Sequence, residues 1–311
     1  MSLQSRHLLG LDGMPQADIN LILDTAASFK EVLERPIKKV PPLQGKTVVN
    51  LFFESSTRTR ISFELAERRL SADVVSFATA ASSVSKGETL KDTARNIEAM
   101  KIDMVVIRHA APGAAHFLSR VVASNVINAG DGAHEHPTQA LLDMYTLREK
   151  FGKLEGLRVG IVGDILHSRV ARSNIFGLTT MGARVAVCGP ATLIPRDIER
   201  MNVEVFHRLE DLIPRVDVLN VLRIQSERQQ SGLFPSLREY HRYFGVTKEK
   251  VERALRPITI MHPGPINRDV ELSADLADGE HSVILQQVTN GVAVRMAALY
   301  LLGTSNGEGG I

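Results

Sequence analysis

One short stretch of the chain combines the residue types that bind anions. The segment FFESSTRTRISFE, residues 52–64, follows an apolar strand pattern and opens a helical pattern that Ser55 or Ser56 can cap. A helix N-terminus is electrically positive and prefers acidic residues. Hydroxyl and guanidinium groups there indicate a bound anion such as phosphate, although a capped helix with surface arginines also fits. The donors in this turn are Ser56, Thr57, Arg58 and Thr59.

A second polar stretch, SSVSKGETLKDT at residues 82–93, precedes another helical pattern. Its serines, glycine and Lys86 can surround a phosphate, but it lacks the GxxxxGK[ST] spacing of a P-loop. On its own the segment favours a simpler interpretation, a surface loop with a solvated lysine.

Polar side chains also follow the next two strand patterns. Arg108 and His109 end VVIRHA, while His134, His136 and Gln139 lie where NAGDGAHEHPTQALLD becomes helical. Two histidines two residues apart suit one helical face poorly, and neither HExxH nor CxxC is present, so we expect no metal. A neutral His136 that donates to a carbonyl oxygen is the better interpretation.

The second half of the chain repeats this placement of arginines after apolar runs. Arg169 and Arg172 begin a helical pattern, Arg223 and Gln225 follow a strand, and MHPGPINRD at 261–269 forms a proline-constrained turn. No GxGxxG supports a dinucleotide site. Each arginine alone is typical of a surface, but several beyond strand ends in both halves predict a site for a polyanionic small molecule.

The elements that must position these residues alternate between short apolar runs and helical patterns. The apolar runs have no polar face, which is typical of parallel strands covered on both sides. The predicted strands are 46–53, 103–108, 125–130, 157–164, 183–189, 203–208, 216–222 and 258–264. Helical patterns include 57–71, 136–152 and 289–303. The sequence therefore predicts an α/β protein with two domains, each a mostly parallel sheet flanked by helices.

No linker rich in proline, glycine or serine separates the two halves, so we expect the boundary near the 136–152 helix. The first predicted domain is 1–138, with the C-terminal helix of 289–311 packing back on it. The second predicted domain is 139–288.

Composition limits the classes of partner. The 311 residues carry a formal net charge of +2, which gives no field directed at nucleic acid or at a membrane surface. No apolar run approaches the length of a membrane span, and no signal peptide is evident. The single cysteine, Cys188, lies in a strand pattern and fits a reducing compartment. We expect a cytoplasmic protein that binds neither nucleic acid nor membranes.

The motifs occur in an order that resembles the aspartate/ornithine carbamoyltransferase family. FFESSTRTRISFE, KGETLKDT, the Arg-His pair at 108–109, NAGDG…HPTQALLD and HPGP carry the resemblance, which spans residues 46–300. The chain is most similar to the catalytic chains of aspartate carbamoyltransferases. The HCLP turn and SMG segment of the ornithine enzymes are absent. The resemblance implies transfer of a carbamoyl group from carbamoyl phosphate to aspartate in pyrimidine synthesis, without a cofactor, in a crevice between the domains.

The resemblance also implies site residues. Those for carbamoyl phosphate are Ser56, Thr57, Arg58, Thr59, Ser82, Lys86, Arg108, His136, Gln139, Pro263 and Gly264. Those for aspartate are Lys86, Arg169, Arg223 and Gln225. The implied catalytic residues are Arg58, Thr59, Lys86, Arg108 and His136.

The implied assembly is a homotrimer in which the loop with Ser82 and Lys86 enters a neighbour's active site. Regulatory or dihydroorotase-like partner chains are compatible with it. The family's HPLPR turn reads HPGPINR here, so Arg268 is displaced by two residues. A carbamoyltransferase for ornithine or another amino acid, and a non-catalytic scaffold homologue, are the alternatives.

Overall fold

A computed structural model describes residues 2–78, 89–224 and 236–304 of the chain. Three predicted site residues, Ser82, Lys86 and Gln225, lie outside the described residues. The chain divides into two units, of which the first runs to Tyr145 and resumes at Thr289, and the second comprises Thr146–Val288. The predicted boundary at residue 138 lies somewhat earlier along the same helix.

The first unit contains a four-stranded sheet whose strands are all parallel. Its strands are β1 (Thr47–Phe52), β2 (Asp73–Ala78), β3 (Met104–His109) and β4 (Asn125–Asp131), in the order β2-β1-β3-β4. Its helices are α1 (Gln16–Glu34), α2 (Thr57–Arg69), α3 (Leu90–Glu98), α4 (Ala114–Ser119), α5 (Pro137–Phe151) and α11 (Ile284–Thr304), where α5 and α11 each continue across a junction with the second unit. Apolar residues of β1, β3 and β4 pack against α3 and α4, as parallel strands require.

The second unit contains a five-stranded sheet, again entirely parallel. Its strands are β5 (Arg158–Val162), β6 (Arg184–Cys188), β7 (Val203–Phe206), β8 (Val218–Val221) and β9 (Thr259–Met261), in the order β7-β6-β5-β8-β9. Its helices are α6 (Arg169–Thr180), α7 (Leu209–Leu212), α8 (Leu237–Phe244), α9 (Lys248–Val251) and α10 (Ala274–Ala277). Cys188 is fully buried at the end of β6, where burial raises the pKa of its thiol to about 12.

The predicted two-domain parallel α/β architecture is confirmed, and each predicted strand overlaps an observed one. Strand β2 was not predicted. It lies at the edge of its sheet, and its Asp73, Ser76 and half-exposed Val75 interrupt the apolar signal of a buried parallel strand. Helix α11 begins at Ile284, five residues before the predicted start. Among the described helices, none has the length and apolar character needed to cross a membrane.

Candidate functional site

The sheet of the first unit has a topological switch point between β1 and β3. From β1 the chain passes to β2 on one side, then returns to place β3 on the other side of β1. Open α/β sheets bind ligands at such points, beyond the carboxyl ends of the strands. The anion-binding segment follows β1, and Arg108 lies at the end of β3, where it pairs in register with Phe52. The fold therefore brings the donors of the 52–64 segment and Arg108 to one edge.

Helix α2 begins at this edge without a side-chain cap. Ser56 is the N-cap residue with an extended backbone, but its hydroxyl makes no capping hydrogen bond, and the first turn holds no acidic residue. In α3, by contrast, Thr89 accepts a bond from the Asp92 N–H and Asp92 supplies an acidic group. The start of α2 thus offers positive N–H groups alongside the Arg58 guanidinium, which is the chemistry of an anion site.

The Arg108 guanidinium is held by groups on three segments. Its Nε lies 3.3 Å from Glu54 Oε2, its Nη1 donates to Ala129 O at 3.2 Å, and Nη1 lies 3.5 Å from Thr59 Oγ1. Both charged side chains are mostly buried, so the ion pair fixes the direction of the guanidinium better than a surface pair does. The structure therefore places Arg108 and Thr59 together, and it adds Glu54, which sequence reasoning missed.

His136 directly precedes helix α5, and Gln139 lies in the first turn of that helix, at its buried N-terminus. The Gln139 N–H donates to His136 O at 3.0 Å, and Gln139 Nε2 donates to Asp143 Oδ1 at 3.0 Å. A carboxylate can only accept, so the amide must turn its NH₂ toward Asp143. Gln139 Oε1 is consequently the atom that can accept a hydrogen bond from a ligand's amino group.

Two buried carboxylates fix the segment that leads from β4 to His136. Asp131 accepts from Gly113 N at 2.7 Å and from Asn128 Nδ2 at 2.8 Å. Glu135 accepts from the N–H groups of Leu11 and Asp12 at 2.8 and 3.2 Å. Because these carboxylates are satisfied by backbone and amide donors, the backbone before His136 is fixed in place.

The sheet of the second unit has its own switch point, between β5 and β8. Arg169 begins α6 after β5, and Arg223 follows β8. Arg169 is buried, although a cation at a helix N-terminus opposes the helix dipole. Both predicted arginines of this half thus lie at the edge where an α/β sheet binds ligands.

The turn after β9 is set by a buried histidine–carboxylate pair. His262 Nδ1 accepts from the Gly264 N–H at 2.8 Å, so the ring proton is on Nε2, which lies 3.3 Å from Glu271 Oε1. Glu271 Oε1 also accepts from the Asn267 N–H at 2.5 Å. Gly264 has a φ of 66°, which favours glycine. This arrangement fixes the direction of the Pro263 and Gly264 carbonyls.

Glu271→Ala is expected to destabilise the protein by about 2 kcal/mol, because it removes the carboxylate that faces the buried His262 ring and accepts from the half-buried Asn267 N–H. Asp278→Ala is the matched control, since Asp278 binds Arg268 at 2.7 and 2.9 Å on the surface, where an ion pair is worth about 0–1 kcal/mol. Denaturant unfolding of the two variants measures the difference. Equal losses would contradict a structural role for the Glu271–His262 pair.

Comparison with protein families covers both units. Residues 6–149 match the model "Aspartate/ornithine carbamoyltransferase, carbamoyl-P binding domain". Residues 155–302 match the model "Aspartate/ornithine carbamoyltransferase, Asp/Orn binding domain". The chain belongs to the aspartate/ornithine carbamoyltransferase family. The first unit corresponds to the family's carbamoyl-P binding domain, and the second unit corresponds to its Asp/Orn binding domain.

Relatives within the carbamoyltransferase family are similar over nearly the whole chain. The aspartate carbamoyltransferase catalytic subunit of Gemmatimonas aurantiaca is 65% identical over 303 residues, covering 97% of this chain and 95% of that one. That of Halothermothrix orenii is 60% identical over 302 residues, covering 97% and 96%.

Solved carbamoyltransferases share the fold. Aspartate transcarbamoylase from Trypanosoma cruzi, in complex with carbamoyl aspartate and phosphate, has a TM-score of 0.86 at 30% identity and covers 96% of each chain. Ornithine carbamoyltransferase from Pyrococcus furiosus also has a TM-score of 0.86, at 29% identity, covering 97% of this chain and 98% of that one. Backbone similarity therefore does not distinguish the two substrate classes, and the side chains must.

Proposed function

We propose that the chain transfers the carbamoyl group of carbamoyl phosphate to the amino group of L-aspartate, giving N-carbamoyl-L-aspartate and phosphate, a step of pyrimidine biosynthesis. The observation that carries the proposal is that each unit has a switch point with its own arginines. The substrates named for the solved relative from Trypanosoma cruzi also support it.

Carbamoyl phosphate binds at the switch point of the first unit. Ser56, Thr57, Arg58 and Thr59 hold its phosphate with the N–H groups of α2, together with the loop of Ser82 and Lys86, which lies outside the described residues. Gln139 Oε1 accepts from the carbamoyl amino group, because Asp143 holds the other end of the amide. The carbonyls of Pro263 and Gly264 are further acceptors for that amino group.

The reaction proceeds by direct attack of the aspartate amine on the carbamoyl carbon, because phosphate is a good leaving group and no covalent enzyme intermediate is needed. Negative charge develops on the carbamoyl oxygen, where Thr59, Arg108 and His136 stabilise it. The pre-set guanidinium of Arg108 needs little reorganisation. Arg58 stabilises the departing phosphate, which can accept the proton of the amine.

Aspartate rather than ornithine is the acceptor because the second unit offers cations. Arg169 and Arg223 match the two carboxylates of aspartate, with Gln225, which lies outside the described residues, as a third group. Ornithine has one carboxylate in place of two, and its remaining ammonium group is repelled by the same arginines.

A colorimetric assay of carbamoylated product, run with aspartate and with ornithine side by side, tests the proposal. Activity with aspartate and at least about 100-fold less with ornithine is expected, since charge reversal in such a site costs several kcal/mol. A preference for ornithine would overturn the proposed acceptor. Inactivity with both would favour a non-catalytic scaffold.

The protein works as a cytoplasmic homotrimer, in which each active site takes the loop of Ser82 and Lys86 from a neighbour. The family resemblance supports the trimer. The relatives' name "catalytic subunit" supports further partner chains, of a regulatory or dihydroorotase-like kind.

Mixing two inactive variants is expected to restore activity. In a trimer of Lys86→Ala and Arg108→Ala chains, a site is intact wherever a chain with Arg108 receives a neighbour's Lys86. Random equal mixing makes roughly a quarter of all sites intact. Refolding the mixture and comparing it with each variant refolded alone measures the gain. Hybrid trimers without activity would exclude a shared site.

A further inference from the structure

Two histidines and an aspartate form a cluster beside the segment that leads to α5. His116 lies in α4, Asp131 ends β4, and His134 lies in the turn that follows. One potential ligand atom from each lies within 4.8 Å of the other two. None of the three belongs to the residues proposed to bind either substrate.

The His134 and Asp131 side chains have the separation of two ligands on one metal ion. His134 Nδ1 lies 3.3 Å from Asp131 Oδ1 and 3.1 Å from Oδ2. Nitrogen and oxygen ligands bound tetrahedrally to zinc at about 2.0–2.1 Å are about 3.3 Å apart. The proton that now joins the two groups can therefore be replaced by a metal ion with little movement of either side chain.

The third member of the cluster has an unsatisfied atom. The Nδ1 of His116 is buried and makes no hydrogen bond within the described part of the chain. Its ring lies 5.4 Å from the ring of His134, at an angle of 70°. Burying a ring nitrogen without a partner is costly, and a bond to a metal ion removes that cost where this nitrogen is the His116 ligand atom.

The carboxylate of the cluster is already oriented. Asp131 is 1% exposed, and the bonds that it accepts from Gly113 N and Asn128 Nδ2 fix its plane. Outer hydrogen bonds of this kind orient metal ligands in known sites. The His134 side chain is 30% exposed, so a metal ion and a water ligand can reach the cluster from solvent.

We propose that His116, Asp131 and His134 form a binding site for a divalent transition-metal ion of the zinc type. Two imidazoles with one carboxylate suit zinc or cobalt, whereas magnesium and calcium prefer oxygen ligands alone. A metal ion there joins α4 to the segment that carries Glu135 and His136, which makes the site structural. This proposal departs from the sequence analysis, which expected no metal after considering only His134 with His136.

Calorimetric titration of chelator-treated, full-length protein with ZnCl₂ tests the site. Wild type is expected to bind one ion per chain, and His116→Asn and His134→Asn are each expected to bind at least about 100-fold more weakly. His281→Asn is the matched control, because His281 lies in the second unit with a 42% exposed side chain. Binding retained by either cluster variant, or no saturable one-to-one binding by wild type, would overturn the proposal.

Cobalt absorption supplies a readout that does not depend on affinity alone. Co²⁺ bound by these ligands is expected to give intense visible bands of a low-coordinate site in wild type and in His281→Asn, and not in the two cluster variants. An asparagine at position 134 can still donate to Asp131, so this variant is expected to fold, which circular dichroism verifies. Identical cobalt spectra in all four proteins would contradict the assignment.

Discussion

Arg58→Ala is expected to lower kcat/KM for carbamoyl phosphate by about 10²–10³-fold. Arg58 lies in the first turn of α2, where Ser56 makes no side-chain capping bond and no acidic residue is present. Removing a charged donor that strengthens its contact as phosphate departs costs about 3–4 kcal/mol. Steady-state kinetics with both substrates measures the loss.

Arg60 provides a matched control two residues further along the same helix. Its side chain is 45% exposed and lies 3.8 Å from Glu64, four residues on. Such surface pairs are worth about 0.3–0.5 kcal/mol. The kcat/KM of Arg60→Ala is therefore expected to stay within about threefold of the wild-type value. If both variants behave alike, Arg58 is an ordinary helix-surface residue and the phosphate site lies elsewhere.

Glu67→Gln is expected to make the protein about 3 kcal/mol more stable at pH 7. Glu67 is fully buried on α2 and accepts from Asn50 Nδ2 at 2.7 Å. Burial raises the pKa of its carboxyl to about 8. The charge of Glu64 also raises this pKa, whereas the Asn50 hydrogen bond and the charge of Arg68 lower it. Glutamine has nearly the same shape and keeps an oxygen that accepts from Asn50, but its amide does not ionise at any pH in this range.

The sign of the effect follows from where the proton is bound. Below the ordinary pKa of glutamate both folded and unfolded chains hold the proton, and the two proteins are expected to be equally stable. As pH rises toward about 8, only the unfolded wild type ionises, so wild type loses about 1.4 kcal/mol per pH unit relative to the variant. Above about 8 the difference is constant.

Urea unfolding from pH 4 to pH 9 measures this difference, and Glu64→Gln is the control. Glu64 is a partly exposed carboxylate on the same helix that accepts from Ser76 Oγ. Its replacement is expected to change stability by about 0.5 kcal/mol or less. A Glu67→Gln protein whose stability follows wild type at every pH would show that the buried carboxyl does not hold a proton.

Much of the fold could be predicted because buried parallel strands are continuous apolar runs, as in MVVI of β3 and VGIV of β5. The sequence did not predict which face of a helix packs against the core. Helix α2 has two apolar stripes, and the structure buries Phe63 while leaving Ile61 and Leu65 exposed. Periodicity alone does not choose between two such stripes.

The positions of the candidate residues were predictable where a single residue type carries the proposed chemistry. Arginines and hydroxyls were expected after strand ends, and they lie at the switch points of the two sheets. That they bind anions stays a prediction. The carboxylates that orient the candidate residues were missed. Glu54, Asp143 and Glu271 look like ordinary acidic residues in the sequence. Glu54 meets Arg108 through a tertiary contact, whereas Asp143 and Glu271 each accept from a residue four positions earlier in the chain. Their one sequence signal is an acidic residue within or next to an otherwise apolar or basic motif.

The second unit is formed by one continuous segment of the chain. Its two junctions with the first unit lie inside helices α5 and α11. In terms of protein engineering it is a cassette with two splice points, so an amino-acid-binding unit from another carbamoyltransferase could be exchanged as a single segment. The splice must keep helical phase, because one added residue in either helix turns everything beyond it by about 100°. Recombination within the family is therefore expected to conserve the lengths of these two helices while the residues between them diverge.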